Sequence, residues 1–110
     1  MRLHVLMTVL CLGCAPALWI PRQENVNVLP VRTPPTTLAE LIRGREIYVG
    51  HCASCHTLPL PEKIRAERAS DVLDRMTRRA KLSSEDRDLV SRFVEAAQAR
   101  ARTVASMPDP

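Results

Sequence analysis

The chain has little aromatic residue or glycine to build with: of its 110 residues only Trp19, Tyr48 and Phe93 are aromatic, and Gly13, Gly44 and Gly50 are its glycines. Once a leader and a connecting segment are set aside, only Tyr48 and Phe93 fall inside the expected folded unit, so large side chains do not fill its core. No period-2 stretch bounded by turn residues occurs in that unit, which excludes a sheet and leaves an all-α class. No apolar run reaches the 18 or so residues that a membrane-spanning helix needs. No Lys/Arg tract interleaved with aromatics occurs either. At a formal net charge of +4, the basic residues alternate with acids along helical segments, a balance that argues against nucleic acid as a partner. A unit of about 65 residues buries too little apolar surface to be comfortably stable alone, so a staple is expected: disulfides, a metal or a large covalent group.

What is present begins with a leader. Arg2 precedes an apolar stretch from residue 3 to 12 in which only His4 and Thr8 are polar, the pattern of a secretory signal. Two ends to it compete. Leu12-Gly13-Cys14 resembles a bacterial lipobox, with Cys14 as the lipidated residue, although Cys11 stands where leucine is more usual; Ala15-Pro16-Ala17 reads as an ordinary peptidase site. The lipoprotein route is the one adopted, with an uncleaved anchor reaching Ile20 as a third possibility. Residues 1–17 are thus the leader, and either cut leaves Cys52 and Cys55 as the cysteines of the mature unit. Residues 18–36 hold Pro21, Pro30, Pro34 and Pro35 without a helical period. They are predicted to be an extended tether that advances roughly 3 Å per residue and holds the domain some tens of Å from a membrane surface.

The folded unit is expected over residues 37–101 as three helices. Thr37 with Glu40 forms a capping box opening the first, with Leu38, Leu41, Ile42, Tyr48 and Val49 at helical spacing until Gly50. Pro59 and Pro61 forbid continuation, after which Ser70 can cap a short second helix carrying Val72, Leu73 and Met76 on one side. Ser83 with Asp86 opens the third, whose apolar stripe is Leu89, Val90, Phe93, Val94 and Ala97. Residues 102–110, ending in two prolines, read as a flexible tail.

The chemistry concentrates at Cys52-Ala53-Ser54-Cys55-His56. This is the pattern of covalent haem attachment, because two thiols three positions apart can reach the two vinyl groups of the porphyrin while the next residue offers an imidazole to the iron. The export signal supplies the compartment where such attachment happens, and a porphyrin supplies the missing bulk of the core. A redox C-x-x-C pair wants a βαβ context that is absent, and a zinc site would have two cysteines and His51 or His56 but no second knuckle. His51 reads as an exposed neighbour of the motif.

A sixth ligand has four readings: Met76, Met107, His51 or none. Met76 is preferred, since it lies 20 residues after His56 on the apolar side of a short, otherwise charged helix, whereas Met107 lies in the tail. The plainer role for Met76 is filling space in an irregular core. Met/His ligation raises the reduction potential and closes the coordination shell. Around Met76 stand Arg75, Arg78, Arg79 and Lys81, a candidate docking patch for redox partners. The competing reading of these four is an ordinary solvated helix face near Asp71 and Asp74.

In order and spacing, Gly44, Tyr48, Cys52, Cys55 and His56 resemble the class I cytochromes c, over about residues 37–100, and most of all the short bacterial members. The resemblance implies a three-helix haem-wrapping domain whose first and last helices cross closely, with Gly44 and Tyr48 at the crossing against Val90 and Phe93. It implies a periplasmic electron carrier with one haem c, working alone or as a subunit of a larger oxidoreductase. It also implies a proline, Pro59 or Pro61, whose carbonyl accepts from the His56 Nδ1 proton. Where many short members carry a Trp before the Met helix, this chain reads Ala69-Ser70-Asp71. Two rival functions are a haem sensor or minor peroxidase with an open sixth position, and a structural lipoprotein without haem.

Overall fold

The computed structural model describes residues 18–31, 34–52 and 60–110, and all regular structure among them is helical. Four α-helices follow in order: α1 (Gln23–Asn27), α2 (Leu38–Ile47), α3 (Ala69–Arg79) and α4 (Ser84–Ala105). A single π-helical turn, Tyr48–Cys52, continues α2, and two 3₁₀ turns, Pro61–Lys63 and Ala66–Arg68, lead into α3.

Local signals start two of the helices where they are expected. At α2 the Thr37 hydroxyl accepts from the Glu40 backbone N–H at 3.2 Å and the Glu40 carboxylate accepts from the Thr37 N–H at 2.7 Å, the reciprocal capping box. At α4 the Ser83 hydroxyl accepts from the Asp86 N–H at 3.0 Å, with Glu85 and Asp86 in the first turn to favour the helix dipole. The second helix begins one residue before Ser70, because the Ala66–Arg68 turn runs straight into it with Arg68 already in helical geometry. It closes in a Schellman arrangement, in which Leu82 N–H donates to the Thr77 carbonyl at 3.0 Å and Lys81 N–H to Arg78 at 3.2 Å. Lys81 takes the left-handed conformation there, at φ 55°.

The core lies where α2 crosses α4. A β-carbon placed on Gly44 would overlap the Leu89 carbonyl group of α4 and stand 3.0 Å from the Phe93 β-carbon, so only glycine lets the two backbones come this close. One turn on, the Tyr48 ring meets Phe93 with centroids 5.6 Å apart. Leu41, Ile47, Val90, Val94, Ala96 and Ala97 are buried around them, and Leu73 of α3 completes the cluster. Arg92 of α4 donates to Asp88 at 2.8 Å, to the buried Thr36 hydroxyl at 3.2 Å and to Glu40 at 3.4 Å, tying the start of α2 to the middle of α4.

Two expectations about the periphery do not hold as written. The segment expected to be an extended tether is docked over residues 18–27. Leu18 is buried in the core cluster, Trp19 stacks on Phe93 with centroids 6.0 Å apart, and α1 lies against α2 and α4. The Arg45 guanidinium donates to the Leu18 carbonyl at 2.9 Å and the Trp19 carbonyl at 3.0 Å, satisfying backbone groups that burial removes from water. Trp19 therefore belongs to the folded unit with Tyr48 and Phe93. The second difference is at the other end: α4 runs to Ala105, past the expected start of the tail, because no helix breaker stands before Pro108.

Candidate functional site

The π-helical turn Tyr48–Cys52 delivers the first residue of the motif. It follows directly from the crossing: Tyr48 is fixed on Phe93, and four residues later Cys52 is half-buried against the same cluster of Ile47, Tyr48, Leu73 and Phe93. Burial, reinforced by the neighbouring Cys52 and then Glu62, pushes the Tyr48 phenol well above its ordinary range. His51 is exposed, as expected. Cys55, His56 and Pro59 lie outside the described residues, as do the candidate lipidation residue Cys14 and the rest of the leader.

The chain is described again from Leu60, and it returns to the same core. Pro61 is fully buried and its turn packs on α4, while the Ile64 carbonyl accepts from the Gln98 side chain of α4 at 2.7 Å. The connection carrying the motif is thus held at both ends, by Cys52 beside the α2–α4 crossing and by Pro61 and Ile64 on α4. Gln98 and Arg45 are positioning residues that sequence reasoning passed over. Each acts through a backbone carbonyl more than 25 residues away, for which no local pattern exists.

Met76 is half-buried on α3, beside the face formed by the buried Leu73 and Thr77. Leu73 is a member of the core cluster, against which Cys52 also packs. Thiol, imidazole and thioether are the donor set that suits covalent attachment of a porphyrin and axial ligation of its iron, and the border of an apolar core suits its ring. On this ground the residues fit a haem. Met107 is exposed beyond the end of α4.

Arg75, Arg78, Arg79 and Lys81 are all exposed. Of the two acids on their helix, Asp74 is engaged by Arg87 of α4, whose Nε donates to it at 2.6 Å, which leaves Asp71 as the exposed acid beside four cations. No group of three His, Cys, Asp or Glu side chains that could hold a metal occurs among the described residues, which do not include Cys55 and His56. No helix among them is long and apolar enough to cross a membrane. No protein-family model, curated protein or solved structure matches the chain.

Proposed function

We propose that this chain is an exported c-type cytochrome that carries single electrons between redox proteins in the periplasm, held at the membrane through Cys14. The observation that carries the reading is the Cys52-Ala53-Ser54-Cys55-His56 motif beginning at a cysteine set against the apolar core, two turns beyond a glycine-mediated helix crossing. Bound haem supplies a one-electron iron couple. Cys52 and Cys55 would hold it through thioether bonds, and His56 and Met76 would supply nitrogen and sulfur ligands to its iron. A methionine sulfur ligand would favour the reduced state and exclude small molecules from the iron, so the chain would transfer electrons rather than turn over a substrate.

The remaining residues give the carrier its frame and its docking surface. Tyr48, Phe93 and Leu73 keep water from the inner side of the site, and the Gln98 and Pro61 contacts fix the return of the motif connection onto α4. Arg75, Arg78, Arg79 and Lys81 offer a positive surface to an acidic partner. Complementary charge of this kind speeds encounter and weakens with salt, which suits a protein that must bind, pass an electron and leave.

The test is spectroscopic, on protein matured with haem-attachment factors in a bacterial periplasm. The reading expects the sulfur-to-ferric-iron charge-transfer band of Met ligation and no binding of carbon monoxide by the reduced protein. Met76→Ala should abolish the band and admit carbon monoxide, while Met107→Ala should change neither. A wild-type protein that binds carbon monoxide would replace the carrier with a sensor or peroxidase.

A further inference from the structure

The docked segment at residues 18–27 fixes more than stability, and its consequence rests on the membrane anchoring proposed above. A chain cut after Ala17 would carry its new α-ammonium on Leu18, a residue only 5% exposed whose carbonyl is already bound by the Arg45 guanidinium. Placing an ammonium on so nearly buried a residue is unfavourable. Lipidation at Cys14 avoids this, since Ala15, Pro16 and Ala17 then separate the acylated residue from the docked one. Four residue steps span at most about 14 Å. A free tether over residues 18–36 would have allowed several times that reach.

We infer that the chain is held flat against the bilayer by one face, the face on which Leu18 docks, and that this face is a lipid-binding surface. The length of chain beyond the docked residue and the place where it enters the fold both point to this occupant. The face carries the side chains that an interface demands. Ile20, Val28 and Val104 are 62%, 55% and 54% exposed, large apolar groups left in water. Val28 and Val104 line one groove with Arg100 and Glu24, and Ile20, Arg22 and Arg100 line the adjoining one. Arg100 also lies over the Trp19 ring, 5.6 Å from its centroid. Apolar side chains of this kind enter the boundary between headgroups and acyl chains, while Arg22 and Arg100 meet lipid phosphates and Glu24 is the acid they outnumber. The arrangement turns the cytochrome from a carrier on a long lead into one presented to its partners in a fixed orientation at the membrane.

Photo-crosslinking on the matured full chain, reconstituted in vesicles of phosphatidylethanolamine and phosphatidylglycerol, tests this. A benzophenone side chain is placed at Val28, at Val104 or, outside this face, at Arg79 of α3. Lipid adducts several-fold more abundant at Val28 and Val104 than at Arg79 are expected. The pair Ile20→Glu and Arg22→Glu, both at exposed positions, should lower the Val104 adduct several-fold without moving the thermal midpoint. Equal adducts at all three sites, in protein whose intact mass shows an acyl group or a retained leader, overturn the flat orientation while leaving the anchor standing. A mass beginning at Leu18, with the protein in the supernatant, overturns the anchor and this inference together.

Discussion

At Gly44 the space between α2 and α4 is set by the absence of one carbon, and the residues around it make the fold sensitive to that position. Gly44→Ala should destabilise the protein by about 2–3 kcal/mol, because the added methyl meets backbone rather than a side chain that could swing away. Urea denaturation checks this, and an unchanged midpoint would contradict the crossing. Tyr48 makes a second residue-scale prediction through its raised phenol pKa, caused first by burial. The unfolded chain releases the phenol proton above its ordinary value of about 10, whereas the folded chain keeps it. The stability associated with this group is therefore complete below pH 10 and is lost as pH rises beyond it. Tyr48→Phe removes the titration, so the stability lost between pH 9 and pH 11, measured by denaturation at each pH, should be smaller in the variant than in the wild type.

The helices differ in how far their own residues determine them. Thr37 with Glu40 and Ser83 with Asp86 are complete local instructions, and both helices begin where those pairs place them. The apolar stripe of α4 was legible for the same reason, with Val90, Phe93, Val94 and Ala97 buried at helical spacing. The close crossing was legible only through the resemblance that links Gly44 with Tyr48. The docked segment was not: α1 is five residues long, too short to announce itself by periodicity, and its hold depends on Arg45 and Phe93, distant in sequence. Prolines at 21 and 30 suggested an extended chain, and the contacts of Leu18 and Trp19 prevailed. Of the candidate site, Met76 is half-buried on the expected second helix and Cys52 packs on the core from the turn beyond the expected end of the first, while Cys55 and His56 fall outside the described residues. At the end of α3, Lys81 occupies a left-handed position that glycine adopts without steric cost. Lys81→Gly should raise stability by about 0.5–1 kcal/mol, with Lys81→Ala as the control that removes the charge and keeps the strain. A thermal melt of the two variants separates these effects.

For the whole molecule, the docked N-terminal segment and the cationic α3 surface concern how the protein is held and whom it meets. Trp19→Ala should cost about 2 kcal/mol, since it removes the stack on Phe93 and the cover of Arg100 from a half-buried ring. An independent tether would lose nothing in the same denaturation experiment. Exchanging Arg78 and Arg79 for Glu should slow electron transfer to an acidic redox partner at low salt and flatten the salt dependence, read by stopped-flow second-order rates. All of these effects refer to a polypeptide bonded to haem, and the most direct measurement is the intact mass of denatured protein after periplasmic maturation. The account predicts polypeptide plus one haem, with the red colour retained through denaturation and lost when Cys52 and Cys55 are both replaced by Ala. A colourless protein whose mass is that of the polypeptide, with at most an acyl group added, would contradict it.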